Sequence, residues 1–267
     1  MRSVVFLLAT IATNPAIAAP AIPPAIYTDP VHDAAHPARM EVLHIPSGNV
    51  QINGVAYLAA GPGLHPTIII CHGLPGNEKN LDLAQAIRRA GWNAVTFNYR
   101  GSWGSPGSFQ FSQNPEDAAA VLAYIRNPAN AKALGIDPSR IVLAGHSMGG
   151  WVAAKTAARD TQLAGTILIS AANLGMVGRQ SRPDVIKTMA GNMEALAGTT
   201  PEALADEVVT NADTNDFVRT SAPLAQKPLL VLSSNDGLAP HTDALITAIR
   251  NKGGKYVTAI YVATDHG

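Results

Sequence analysis

Cysteine is nearly missing from this chain: Cys71 is the only one in 267 residues. A lone thiol cannot form an intramolecular disulfide, so the fold is not a disulfide-stapled one. Charge is also sparse, at 14% of residues, and balanced, with 19 basic and 19 acidic side chains and a formal net charge of 0. With no basic run, neither nucleic acid nor an anionic membrane is expected as a bulk partner. Beyond the N-terminus, no apolar run approaches the roughly 20 residues needed to cross a bilayer. What the chain does have is 47% hydrophobic residues in a mixed composition, which excludes a disordered or fibrous protein. The length suits one α/β domain, or two small ones, with a large core.

The first 18 residues read as a signal peptide. Arg2 supplies the positive start and Val4 to Ile11 the apolar run. Asn14 and Pro15 break that run before the small-x-small site Ala16-Ile17-Ala18. Cleavage is expected after Ala18, with a periplasmic or secreted destination. The run is too short to serve as a membrane anchor. Residues 19–39 hold Pro20, Pro23, Pro24, Pro30 and Pro37. They predict an extended arm, lying on the domain or loose in solvent.

From residue 40 onward, strand-like and helical runs alternate. Strands are expected at 41–46 and 50–58, joined by Ser47-Gly48-Asn49, and at 66–71, 93–98, 140–145, 164–170, 228–233 and 255–262. Helices are expected at 79–90, 116–126, 148–159 and 242–252, with Gly91 and Pro128 just past the ends of the first two. Apolar strands alternating with amphipathic helices predict an α/β fold: a mostly parallel sheet with helices on both faces and an antiparallel hairpin at its edge. Residues 172–226 break the rhythm. They hold helical stretches near 183–197 and 201–209 and no clear strand, as a helical lid insertion would.

The sharpest local signal is Gly145-His146-Ser147-Met148-Gly149-Gly150, which follows a strand and opens a helix. A serine on such a turn is held clear of the sheet, and only small residues fit on either side of it. The helix points its positive end at the site, and the Met148 amide faces any oxyanion forming beside Ser147.

Together with Cys71-His72-Gly73-Leu74-Pro75-Gly76 and Asn98-Tyr99-Arg100-Gly101, this motif resembles the α/β-hydrolase family. Within it, the pattern looks most like the dienelactone-hydrolase and prolyl-oligopeptidase-like branch. The resemblance covers about residues 40–266. It implies that Ser147 is a nucleophile and that the loop after the first long apolar strand gives a second oxyanion donor, the Leu74 amide. Pro75 has no N–H to give. It implies an acid at a strand end, matched by Asp236 in Ser233-Ser234-Asn235-Asp236-Gly237, ahead of the rivals Asp213, Asp216 and Asp243. It implies a histidine past the last strand, matched by His266.

Other residues are expected to serve structure. Cys71 reads as a small buried hydrophobe and His72 as structural. His146 is expected to matter through its backbone and His241 to face solvent. Arg100 reads as a loop-ordering ion pair ahead of an anion site. Trp103 and Phe109 are candidates for the cleft lining or for core packing. His32 and His36 have helical metal-pair spacing, but Pro30 and Pro37 leave room for barely one turn. No Walker A sequence is present and no Gly-x-Gly-x-x-Gly opens a helix after the first strand, so no cofactor is expected. The function expected is serine hydrolysis of a small-molecule ester through Ser147, His266 and Asp236. A small peptidase or amidase taking short acyl or peptide substrates is the alternative in the same chemical class. A non-catalytic binding protein that keeps the fold is the alternative in another.

Overall fold

A computed structural model describes residues 21–266. The signal peptide, its cut after Ala18, Pro20 and Gly267 lie outside the described residues. Strands β1 (Arg39–Ser47) and β2 (Val50–Leu58) form the opening hairpin, closed at Ser47↔Val50. Leu43, Ile45 and Ser47 alternate inward along β1, as a half-buried edge requires. Then come β3 (His65–Cys71), α1 (Leu81–Arg89), β4 (Asn93–Phe97), α2 (Asn114–Arg126) and α3 (Pro128–Leu134). They are followed by β5 (Ile136–His146), α4 (Met148–Ala157) and β6 (Gly165–Ile169). After five further helices come β7 (Leu229–Ser233) and β8 (Val257–Tyr261), described below with the helix between them.

The eight strands form one sheet in the order β1-β2-β4-β3-β5-β6-β7-β8, antiparallel at β1-β2-β4 and parallel from β4 to β8. All five residues of β4 are buried, because both faces of the parallel part are covered. On one face α1 packs Ala84 against Ile70, Ala94 and Tyr57. The other face carries α2 and α4, with Trp151, Val152, Ala153 and Ala154 buried. A helix buried on nearly all sides reads as mostly apolar, as α4 does apart from Lys155 and Thr156.

The helices between β6 and β7 are α5 (Leu174–Gly178), α6 (Arg182–Ala190), α7 (Pro201–Thr210), α8 (Ala212–Asn215) and α9 (Ser221–Leu224), with a 3-10 turn at Phe217–Thr220. Residues 195–197 bind the loop after β4. The Trp103 and Phe109 amides donate to the Ala195 and Ala197 carbonyls at 2.9 Å each, and the Ala197 amide donates to the Gly101 carbonyl at 2.8 Å. Helix α10 (Ala239–Asn251) then joins β7 to β8.

Two details depart from expectation. Pro128 stands just past the end of α2, as expected, but it also starts α3, a helix the sequence did not announce; its missing N–H costs nothing there, and the Asn127 carboxamide caps that helix through the Ala129 amide at 3.0 Å. Strand β5 begins four residues early, at Ile136, across an exposed Asp137-Pro138-Ser139 stretch and a register shift against β3. The N-terminal arm lies on α1: the Arg89 guanidinium donates to the Ala25 carbonyl at 2.5 Å and the Ile26 carbonyl at 2.8 Å, and Arg88 pairs with Asp29 at 2.7 Å.

Candidate active site

Ser147 stands between β5 and α4 with φ 56° and ψ −123°. A non-glycine residue in this region carries roughly 1–3 kcal/mol of strain and persists only where its surroundings over-determine it. Here its amide donates to the Ile169 carbonyl, and its carbonyl accepts from the Ala172 amide, at 2.9 Å each. The flanking glycines are steric requirements. A β-carbon on Gly145 would lie 2.0 Å from the Gly149 carbonyl oxygen, and one on Gly149 would lie 2.0 Å from the Cys71 carbonyl oxygen.

The loop after β3 closes over the serine. A β-carbon on Gly73 would stand 3.0 Å from Ser147 Cβ and 3.5 Å from its Oγ. His72 holds this loop from beneath. Its buried ring bonds the Gly73 carbonyl through Nδ1 at 2.8 Å, and its own carbonyl accepts from the Tyr99 hydroxyl at 3.1 Å. Burial pushes the His72 imidazole down to about 4, so at neutral pH the ring is uncharged and the proton that serves Gly73 sits on Nδ1. The Trp103 indole donates to the Pro75 carbonyl at 2.7 Å, with the Lys79 ammonium 4.1 Å above its ring centre. The Leu74 amide donates to no backbone carbonyl among the described residues. Met148 opens α4, where the first amides of a helix have no intrahelical acceptor.

Asp236 follows β7 in a turn with Gly237, and its Oδ2 lies 2.7 Å from His266 Nδ1. The carboxylate side chain is 3% exposed and the imidazole 40%. Burial alone would raise the carboxyl's pKa. Hydrogen bonds from His266, the Leu238 amide and the Ser170 and Ser234 hydroxyls outweigh it and hold Asp236 well below the usual carboxylate range. The rival acids are used elsewhere or face solvent. Asp213 and Asp216 both pair with Arg179 at 3.0 Å, and Asp243 is exposed on α10. The structure thus joins acid and imidazole and sets the serine on its turn. No hydrogen bond links Ser147 Oγ to His266 among the described residues. Such contacts in ligand-free sites often tighten only when substrate binds.

Two histidines behave differently from expectation. The His146 ring is not idle: its Nε2 bonds the His266 carbonyl oxygen at 2.7 Å, and the two rings lie 4.7 Å apart. His241 does not face solvent; it is half-buried, and its Nδ1 accepts from the Asn173 amide at 3.0 Å. Nothing in the sequence distinguished these side chains, since both contacts join segments far apart in the chain. Phe109 is fully buried against Phe111 and belongs to the core, not the cleft. Arg100 pairs with Asp117 at 2.6 Å and Glu116 at 2.7 Å. Cys71 is buried, and burial pushes its thiol up to about 12, which leaves it unreactive.

The model of the alpha/beta hydrolase family matches residues 68–262, most of the chain. The chain belongs to the alpha/beta hydrolase family. The chain is 32% identical over 127 residues to the quorum-quenching protein AidA of Acinetobacter baumannii, covering 45% of its own length and 40% of that protein. It is 27% identical over 118 residues to an uncharacterized protein of Mycobacterium tuberculosis, covering 44% and 40% of the two chains. The matched part is therefore about 40% of the length of these curated relatives. Among solved structures, the esterase of Pyrobaculum calidifontis superposes with a TM-score of 0.65 at 20% identity, over 87% of this chain and 78% of that one. A thermostable carboxylesterase from a metagenomic library gives 0.64 at 21%, over 87% and 82%. These identities speak for the fold alone. Among the described residues, no helix is long and apolar enough to cross a membrane.

Proposed function

We propose that this hydrolase is an exported serine esterase acting on small carboxylic esters through an acyl-enzyme. Ser147 Oγ attacks the ester carbonyl. His266 Nε2 takes the proton and returns it to the departing alcohol. Asp236 keeps the imidazole proton on Nδ1 and stabilises the imidazolium. The Leu74 and Met148 amides hold the oxyanion, each worth about 3 kcal/mol to the transition state. Water, activated by the same imidazole, then releases the acid. No cofactor takes part in these steps. The helices of residues 172–226 act as the lid that shapes the acyl pocket, since residues 195–197 bind the loop carrying Trp103.

The observations that carry this reading are the 2.7 Å bond between Asp236 and His266 and the strained serine at the strand-to-helix turn. The test is hydrolysis of p-nitrophenyl acetate and butyrate by the wild-type protein and by Ser147→Ala. Turnover by the wild type alone is expected; equal rates would remove the enzyme and leave the binding-protein alternative. Dipeptide naphthylamides separate the peptidase alternative, which predicts their cleavage in preference to the esters. Export is tested by fractionating cells that express the full chain. Recovery of a species beginning at Ala19 outside the cytoplasm is expected, and an intact cytoplasmic chain contradicts it.

A further inference from the structure

We infer that His146 is a positioning residue, whose imidazole fixes the backbone of His266 and so sets where the base stands relative to the serine. The inference rests on the reading of His266 as the base. His146 ends β5 and is covalently next to Ser147, so one turn carries both the nucleophile and the anchor of its base. Its ring is buried, and Nε2 donates to the His266 carbonyl at 2.7 Å. Among the described residues, this is the one hydrogen bond to the main chain of His266.

The surrounding segment offers little else. Residues 262–266 are tied back through the Val262 amide to the Ser233 carbonyl and through the Thr264 carbonyl to the Asn235 amide, at 2.8 Å each. Both ties lie at least two residues short of the base. Packing does not substitute for them, because the His266 side chain is 40% exposed. Asp236 fixes one ring nitrogen, and an imidazole held at a single atom can still pivot about that bond. The His146 contact supplies the second fixed point, and the two rings stand tilted by 39° with their centres 4.7 Å apart.

Charge makes the arrangement suitable for a base that becomes cationic. Burial lowers the pKa of His146, so it remains neutral at physiological pH. A neutral ring can hold the His266 carbonyl without placing a second positive charge beside the imidazolium formed during attack. A lost tether matters because misplacing a reacting group by about 1 Å can cost roughly 100-fold in rate.

The experiment compares His146→Leu, which keeps apolar bulk but removes the donor, with His146→Gln, whose amide nitrogen can stand near the position of Nε2. Both are assayed on p-nitrophenyl butyrate beside the wild type and Ser147→Ala, with thermal unfolding in parallel. His146→Leu is expected to lose about 10- to 100-fold in kcat with KM within about two-fold, and His146→Gln to recover most of that loss. A wild-type kcat in His146→Leu, or equal losses in both variants, overturns the positioning role. Should His146→Leu fail to fold, His146→Asn, whose amide nitrogen falls short of the His266 carbonyl, takes its place with the same expectation. Wild-type turnover no faster than that of Ser147→Ala is a different failure: it removes the base itself and the positioning role with it.

Discussion

Gly73 and Ser147 meet with no room between them for a side chain. A β-carbon on Gly73 would press on Ser147 Cβ at 3.0 Å and approach its Oγ at 3.5 Å. The backbone of Gly73 lies outside the left-handed region, so alanine can adopt its conformation. Gly73→Ala is therefore expected to crowd the serine hydroxyl and displace the Leu74 amide without unfolding the chain. A fall in kcat/KM of about ten-fold or more should accompany a nearly unchanged unfolding midpoint. Steady-state kinetics and thermal unfolding on the same preparation check both parts.

The Asp236 carboxylate should matter for rate and for stability. Asp236→Asn keeps the shape but favours the wrong imidazole tautomer, and a loss of about 10⁴-fold in kcat is expected. Its folded pKa lies below the ordinary unfolded value of about 3.9. The stabilisation from the ionised group is thus fully present above that unfolded value and is lost as pH falls through the folded one. Urea unfolding should show Asp236→Asn less stable than wild type at pH 6, with the gap closing as pH drops below about 4.

Gly149 faces a harder constraint than Gly73. Its missing β-carbon would lie 2.0 Å from the Cys71 carbonyl oxygen and 2.6 Å from that of His72, both main-chain atoms of the central sheet and its exit. Gly149→Ala can be accommodated only by moving α4 away from β3. A destabilisation above about 4 kcal/mol, seen as insoluble or molten protein, is expected. A soluble, cooperatively unfolding Gly149→Ala variant would contradict this packing.

Arg100 and Asp117 tie the loop after β4 to α2. The Asp117 side chain is fully buried. It is held by the Arg100 guanidinium at 2.6 Å, the Arg100 amide at 2.9 Å and the Ser47 hydroxyl at 2.5 Å. Arg100→Met strands a buried carboxylate and should cost about 3–5 kcal/mol in denaturant unfolding. Changing Asp117 to Asn in the same protein should recover part of that loss. At temperatures where Arg100→Met remains folded, kcat on small esters should stay close to wild type.

The legible parts of this sequence were those where chemistry and local geometry coincide. Apolar runs such as Thr67-Ile68-Ile69-Ile70 announce a strand buried on both faces, and the alternation with helices announces the sheet. Glycine on either side of Ser147 announces the turn, because only a missing β-carbon fits against Gly149 and Cys71. Asp236, just past the apolar run Leu229-Leu230-Val231-Leu232, was legible through the family resemblance and the chain order it implies. What stayed hidden depends on distant segments. Pro128 lies past the end of one helix and also begins the next, and nothing short of the Asn127 cap announces the second. Helices α5, α8 and α9 are of four or five residues, too short to show a period. The ring of His146 meets a residue 120 positions away, and no local pattern announces such a contact. Phe109 went to the core, fully buried with its ring edge-on to Phe111 and its amide bonded to the Ala197 carbonyl.

On the proposed function, Ser147 is a nucleophile driven by the His266–Asp236 pair. The most direct measurement is intact-mass and peptide mapping after brief treatment with a fluorophosphonate, on wild type and on His266→Ala. One adduct, on the peptide containing Ser147, is expected in the wild type, forming at least about 100-fold faster than in His266→Ala. Labelling of another residue, or equal labelling of Ser147 in both proteins, would contradict the account.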